Sequence, residues 1–239
     1  AKVIYCGGGI TLSANNNTVT GTNVTLNMNG TGTLTGVTNG AFLAANLVFS
    51  AGTITLAGGI RVKTITITHT GGTVDPGTST LQLDTASQVL TLATSGMTWN
   101  NISQTGGGSA NTLTLTEDLN VSGLFTVGSG GAVFTVNGQT AHLTGGLRFA
   151  GTSGNCSGTT VFSLEGTQTV DAPSQTGAGG IYNPITIAAG AGTVTIQPGG
   201  GTRVGGSLSN LKFTSGTVIT TAGTWASGSS GGSQRVIGG

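Results

Sequence analysis

Residues 112–116 read Thr-Leu-Thr-Leu-Thr, and the same alternation of threonine with an aliphatic residue returns along the chain. It appears as Thr-Ile-Thr-Leu at 53–56, Thr-Ile-Thr-Ile-Thr at 64–68 and Thr-Val-Thr-Ile at 193–196. Successive side chains of a β-strand point to opposite faces, so this period of two gives each strand one buried and one hydrated face. The pattern predicts short β-strands over most of the chain and no helix.

The composition supports a folded, all-β chain with many tight turns. Glycine accounts for 46 of the 239 residues, without the every-third spacing that a collagen helix requires. Disordered chains are usually charged and poor in β-branched residues, whereas only 5% of these residues are charged and Thr, Val and Ile are abundant. Regular β-structure therefore fits better than disorder.

The charge balance excludes some classes of partner. Seven basic residues nearly cancel six acidic ones, and a net charge of +1 gives no sign of nucleic-acid binding. No stretch approaches the roughly 18 to 20 apolar residues of a membrane span. Charged side chains usually keep exposed strand edges from pairing with other chains. Because this chain has so few of them, we expect either a solenoid with capped ends or a chain that forms part of an assembly.

The first six residues, Ala-Lys-Val-Ile-Tyr-Cys, lack the long apolar core of a secretory signal. They favour a cytoplasmic start from which the initiator Met has been removed, with a mature chain left by signal cleavage as the alternative. The two cysteines, Cys6 and Cys156, are too few for a disulfide framework and show no metal-binding spacing. Two ordinary thiols are expected, and an intrachain or interchain bridge stays open.

Two segments about 80 residues apart share one order of features. Beginning at Trp99 and again at Tyr182, an aromatic residue and Asn lead into a strand, a Gly-rich turn, a Thr-aliphatic strand and a Leu-rich strand. A shorter rhythm of strand, Asn-Gly, strand, Gly-Gly, strand runs through residues 134–149, with Asn137-Gly138 as a tight turn. Trp99 and Tyr182 are expected to pack inside the repeats, and an exposed carbohydrate platform is the alternative.

The strands stay similar along the chain and are joined by turns of small residues, as stacked coils require. This favours a β-solenoid, or β-helix, of short Thr/Gly-rich strands over a β-sandwich of short strands. We expect an N-terminal β segment at 1–41 that serves as a cap or attachment region. The repeat-containing solenoid follows at 42–225, and a Gly/Ser-rich C-terminal tail at 226–239.

No catalytic, cofactor-binding or metal-binding residue is predicted. The carboxylates fall at probable turns or strand ends and suggest no glycosidase pair, although a pair formed between coils stays open; they are Asp75, Asp84, Glu117, Asp118, Glu165 and Asp171. His69 and His142 lie in Thr-rich strands with no ligand at metal-binding spacing. The Gly-rich runs lack the Gly-Lys-Ser/Thr ending of a phosphate loop.

The wording Trp-Asn-Asn-Ile at 99–102, followed by Thr-Leu-Thr-Leu-Thr-Glu-Asp-Leu-Asn-Val-Ser-Gly at 112–123, resembles β-helical repeats of bacteriophage virion proteins and bacterial surface adhesins. The resemblance covers residues 42–221 and carries over no functional residue. It implies a non-enzymatic structural protein of an extracellular assembly, first of all a tail fibre or capsid decoration on the exterior of a tailed-phage virion.

Two alternatives accompany that expectation. One is a secreted adhesin or extracellular filament subunit at the bacterial surface, and the other is a polysaccharide-degrading tailspike. The expected partners are further copies of the chain, with a homotrimer as the leading oligomer, and other virion or surface-assembly proteins. A host-surface glycan is a further candidate partner, and no cofactor is expected.

Overall fold

The computed structural model describes residues 2–11, 19–36, 43–63, 65–83, 89–104, 110–128, 133–150, 155–172, 180–181, 183–198 and 211–220. Every regular element within these ranges is a β-strand. The strands are β1 (Lys2–Cys6), β2 (Ile10–Thr11), β3 (Val19–Met28), β4 (Gly32–Thr35), β5 (Leu43–Phe49), β6 (Thr53–Ala57), β7 (Gly59–Arg61), β8 (Ile65–His69), β9 (Thr73–Asp75), β10 (Thr80–Gln82), β11 (Val89–Ala93), β12 (Thr98–Trp99), β13 (Asn101–Gln104), β14 (Asn111–Leu115), β15 (Leu119–Val121), β16 (Phe125–Val127), β17 (Val133–Gly138), β18 (Ala141–Leu143), β19 (Leu147–Phe149), β20 (Asn155–Ser157), β21 (Phe162–Leu164), β22 (Gln168–Ala172), β23 (Gly180–Ile181), β24 (Ile185–Pro198) and β25 (Leu211–Thr220).

The strands wind into a β-solenoid of about seven turns whose coils visit three faces in a fixed order. The first face is a sheet of nine strands, β1, β3, β5, β8, β11, β14, β17, β20 and β23. The second face begins with β2, β4, β6 and β9 and continues with β12, β15, β18 and β21. The third face runs from β7 through β10, β13, β16, β19 and β22, and the long β24 and β25 span the second and third faces.

All strand pairs in the described part of the chain are parallel, and each strand pairs with its counterpart in the neighbouring coil. Sandwiches of the immunoglobulin type are antiparallel, so the parallel ladders separate the two predicted architectures. The predicted all-β solenoid is confirmed.

One coil takes 20 to 27 residues between paired strands, and the extremes are Leu47 with Ile67 and Ala188 with Ser215. The shorter predicted rhythm at 134–149 therefore describes one coil, formed by β17, β18 and β19. The longer repeat of about 80 residues was wrong as a structural unit. Its two copies align Ile102 on the third face with Ile185 on the second, because similar Thr-aliphatic strands line every face.

Inward-facing apolar side chains stack in rows that run the length of the solenoid, and they are almost fully buried. The row on the third face is Ile60, Leu81, Ile102, Phe125, Leu147, Val170 and Ile196. The row on the second face is Trp99, Val121, Leu143, Leu164 and Ile187. Burying one such side chain stabilises the fold by about 1.5–3 kcal/mol, so the continuous rows supply the main driving force.

The corners between faces are narrow enough to require glycine. Gly138 ends β17 with φ of 110°, and a Cβ there would overlap the carbonyl oxygen of Leu115 in the preceding coil. Only glycine adopts this conformation at little cost. The predicted tight turn at Asn137-Gly138 is therefore the corner between β17 on the first face and β18 on the second.

A buried asparagine connects three coils at the corner between the first and second faces. The Asn183 amide nitrogen donates to the carbonyl oxygens of Val136 (3.0 Å) and Thr160 (3.1 Å), and its amide oxygen accepts from the Cys156 thiol at 3.3 Å. Asn183 is 2% exposed. The side chain thus adds a donor to the Val136 carbonyl, which also accepts the Thr160 backbone N–H at 3.2 Å, and supplies one to the Thr160 carbonyl.

Strands β1 to β4, within the predicted N-terminal segment 1–41, continue the first and second faces of the stack. The predicted tail 226–239 lies outside the described residues, and the proposed boundaries remain predictions. In the described ranges, no helix has the length and apolar character to cross a membrane.

We predict that Asn183→Ala destabilises the fold by about 2 kcal/mol or more, because the buried Thr160 carbonyl and the Cys156 thiol each lose a hydrogen-bond partner and the Val136 carbonyl keeps only the Thr160 N–H. Asn120→Ala is the matched control, since Asn120 lies on the outer side of β15 and donates one long bond of 3.4 Å to Met97. Urea unfolding measures both changes. Equal losses for the two variants would contradict the role assigned to Asn183.

Gly138→Ala should lower the melting temperature strongly, because the substitution meets both an unfavourable φ and the Leu115 carbonyl. Gly8→Ala is the control: no atom lies within 4 Å of a Cβ at that position. Thermal unfolding by circular dichroism compares them. A Gly138→Ala protein as stable as the wild type would rule out the tight corner.

Candidate interaction surfaces and the titratable cluster

The outer side of the first face carries uncharged polar side chains that stack in register. Thr66 lies beside Thr91, and Thr91 beside Thr114, on three successive coils. Asn46 and Asn137 extend the row at its two ends, and the Asn46 amide oxygen accepts from the Thr66 backbone at 3.0 Å. These side chains are partly exposed, as the period-two pattern predicts for the hydrated side of a strand.

Titratable side chains from three successive coils meet on the second face. His142 lies on β18, Asp118 directly precedes β15, and Glu165 directly follows β21. His142 Nδ1 is 2.5 Å from Glu165 Oε1, and His142 Nε2 is 3.8 Å from Asp118 Oδ2. Ser163 Oγ donates to Glu165 Oε1 at 2.8 Å. We call these four residues the His142 cluster.

The geometry of the His142 cluster limits its chemistry. The imidazole occupies the space between the two carboxylates, where a glycosidase would hold the scissile bond. The Ser163 hydroxyl is bonded to Glu165 rather than to His142, so the imidazole is not placed to take its proton. Among the described residues, no group of three His, Cys, Asp or Glu is arranged to hold a metal ion.

The cluster does connect three coils. The Asp118 carboxylate also accepts the Thr140 backbone N–H at 3.0 Å, which fixes the corner before β18. The imidazole then continues the contact to Glu165 in the next coil. The three titratable side chains are about a third or more exposed, so solvent screens any charge interaction between them and its contribution to stability is small.

Asp118 and Glu165 lie at strand ends, as predicted, but their contacts with His142 were not predicted. The parallel stack brings residues one coil apart together, and His142 is 24 positions from Asp118 and 23 from Glu165. These spacings match the coil length. These contacts could have been predicted from the sequence if the coil length of about 23 residues had been recognised. The repeat of about 80 residues gave the wrong period.

The other carboxylates have structural partners. Asp75 Oδ1 accepts the Gly77 backbone N–H at 3.0 Å, which confirms the predicted Asp-Pro-Gly turn. Glu117 Oε2 accepts the Ser95 backbone N–H at 2.7 Å across coils. Asp171 lies 3.5 Å from Arg148 on the third face. Asp84 lies outside the described residues.

His69 forms hydrogen bonds with backbone carbonyls at the corners and is not part of a cluster of titratable side chains among the described residues. Its Nδ1 is 2.8 Å from the Ser95 carbonyl oxygen, and its Nε2 is 3.4 Å from that of Gly72. An imidazole can donate a hydrogen bond to a carbonyl, so His69 connects its own corner to that of the next coil.

Trp99 is fully buried in the core row of the second face, so the expected packing role is confirmed and the carbohydrate platform is excluded for this residue. Its indole Nε1 has no hydrogen-bond partner in the described part of the molecule. Tyr182 and Trp225 lie outside the described residues. Tyr5, by contrast, is 67% exposed on β1.

Cys6 and Cys156 are free thiols at distant places in the first face. Seven strand-to-strand steps separate β1 from β20, which is about 34 Å at the usual strand spacing and rules out an intrachain bridge. Complete burial raises the pKa of the Cys156 thiol far above its usual value, and partial burial raises the pKa of Cys6.

Both ends of the coil stack expose apolar side chains. At the first end, Val3 is 46%, Ile4 is 48% and Tyr5 is 67% exposed, although Ile4 stacks on the core residue Leu26. At the other end Val218 stacks on the buried Val194, and both Val218 and Ile219 are exposed. In the described ranges β1 pairs only with β3, and β25 only with β24. Among the described strands, no partner lies on the outer side of β1 or of β25.

A thiol reagent should modify Cys6 and spare Cys156 in the native protein, because only the thiolate reacts and Cys156 is both buried and held protonated. Intact-mass measurement should show one adduct before unfolding and two after it. The Cys6→Ser protein, expected to take no adduct when folded, is the control. Equal native reactivity of both thiols would contradict the described core.

Comparisons with protein-family models, with curated proteins and with solved structures found no match for this chain.

Proposed function

We propose that the chain is a non-enzymatic structural element of an extracellular assembly. The observation that carries this proposal is the stack of about seven coils in which every described strand pair is parallel and apolar rows run through the interior. Each coil supports the next through a backbone ladder and a shared core. Such a stack has the stiffness that a rod or shell component needs.

Resistance to proteolysis suits the same role. The chain has seven Lys and Arg residues, so a trypsin-like protease finds few sites. Arg148 lies on β19, which is paired on both sides with β16 and β22. Cleavage there requires local opening of three coils, because a protease needs an extended, unpaired segment.

The specific form of the proposal is an exterior component of a tailed-phage virion, either a tail fibre or a capsid decoration. Its support is the low charge, the repetitive strands and the resemblance at 99–102 and 112–123. A secreted adhesin or extracellular filament subunit would use the same mechanical properties. An export signal in the gene would favour that alternative, and neighbouring capsid and tail genes would favour the virion.

A tailspike that degrades polysaccharide is the second candidate, and the juxtaposition of Asp118 and Glu165 is the observation in its favour. His142 between the two carboxylates argues against it. A glycan-release assay on host envelope polysaccharide separates the two functions. Release that disappears in Glu165→Gln would establish the tailspike and overturn the structural proposal.

The proposed partners are other copies of the chain and neighbouring proteins of the assembly, with a homotrimer proposed for a fibre. The uncharged row of Thr66, Thr91 and Thr114 offers such partners hydrogen bonds without charge repulsion. A host-surface glycan is a further proposed partner of this polar surface.

We predict a β-type circular dichroism spectrum and survival of the β17 to β22 segment during prolonged trypsin treatment of the folded protein. The heat-unfolded protein, cut after Arg148, is the control. Mass spectrometry of purified phage particles should also detect the chain. Rapid cleavage of the native protein after Arg148, or a random-coil spectrum, would contradict the proposal of a rigid structural element. Absence of the chain from the particles would contradict the proposed virion location.

A further inference from the structure

The first face differs from the other two in its charges. Its strands after β1 contain no Lys, Arg, Asp or Glu; they are β3, β5, β8, β11, β14, β17, β20 and β23. The charged residues on the described strands of the second and third faces are Arg61, Asp75, Arg148, Asp171 and Lys212. Depletion of charged residues is the compositional signal of the core of a protein–protein interface.

Exposed apolar side chains lie on the outer side of the same face. Apart from those on β1 and β25, the large apolar side chains exposed among the described residues are Val89 (45%) and Val133 (40%). Both point outward, because the residues that follow them, Leu90 and Phe134, are buried in the core. The two valines and the methyl groups of the threonine row give this uncharged surface an apolar component, which favours burial.

The first face is also large enough for a stable contact. Its nine strands give eight steps of about 4.8 Å, and most of these strands have at least five residues, each rising about 3.3 Å. The face is therefore about 38 Å long and about 17 Å wide, which is about 650 Å² before the relief of the side chains is counted. A standard interface takes about 800 Å² of accessible surface from each partner.

The two sides of this sheet are covered unequally. On the inner side, Leu90, Leu113 and Val136 are at most 1% exposed, whereas the outer threonine row is partly exposed. Parallel sheets are usually covered on both sides, and two sheets that pack face to face lie about 10 Å apart. The first face of a second copy would supply such a cover, because it brings the same uncharged side chains and no like charges meet.

The symmetry follows from the use of a single face. When the same surface of both copies forms the contact, the pair is closed by a two-fold axis that lies in the plane of the contact. A ring of three copies needs two different surfaces on each copy, and the second and third faces carry charges. Strand β11 is the fifth of the nine strands, and Thr91 is its middle residue, so Thr91 lies at the centre of the face.

We propose that two copies of this chain pair through the outer sides of their first faces, related by a two-fold axis that passes near Thr91. This proposal rests on the proposed structural function and adds to it the surface and the symmetry of one contact between copies. The homotrimer proposed for a fibre uses a different arrangement, so the mass of the assembly distinguishes the two.

The test places charges at the centre of the face in Thr91→Lys and Thr91→Glu. Sedimentation equilibrium of the wild type should give twice the mass of the chain. Each variant alone should dissociate at least about tenfold more readily, because two like charges meet across the axis. An equal mixture of the two variants should recover the doubled mass, since Lys then faces Glu. Circular dichroism should show the same fold in both variants, because the Thr91 side chain lies outside the core.

Ser103→Lys is the matched control: Ser103 lies on the outer side of β13 on the third face, and this variant should pair as the wild type does. A wild type that stays at the mass of one chain, or that forms a trimer, would overturn the two-fold pair. So would a doubled mass that Thr91→Lys leaves unchanged, or variants whose mixture does not pair. Detection of the chain in virions does not depend on these results, so the two proposals fail separately.

Discussion

Parallel pairing of each coil with the next, in register, is the constraint on which the rest of this structure depends. It aligns Leu81, Ile102 and Phe125 into one apolar row and sets the outer threonines into rows of their own. It also brings the corners of neighbouring coils into backbone contact, so that no residue with a Cβ fits at Gly138. The core, the polar surface and the glycine content thus have a single cause.

The same constraint explains where polar chemistry gathers. Side chains that are distant in sequence become neighbours when their separation equals one coil, as in the His142 cluster and in the contact of Glu117 with Ser95. Inside the stack, Asn183 uses that proximity to satisfy carbonyl groups of two other coils. These contacts hold coils together, which accords with a structural role for the chain.

Much of the fold follows from local sequence. The Thr-aliphatic alternation determines which side of each strand is buried, and the Asp75-Pro76-Gly77 turn and the corner glycine Gly138 are local signals. The coil period was harder to obtain, since all three faces have nearly the same sequence and a false alignment of Ile102 with Ile185 looks as good as the true ones. The partners of His142 were missed for this reason.

Distances along the first face test the central claim most directly. With Cys6→Ser as the background, spin labels placed at Thr25 and at Thr91, Thr114 or Asn137 span three, four and five coil steps. Double electron–electron resonance should give separations that grow linearly with the number of coil steps. At the usual strand spacing, the backbones should lie about 14, 19 and 24 Å apart. Separations that do not rise with coil number would contradict the in-register solenoid.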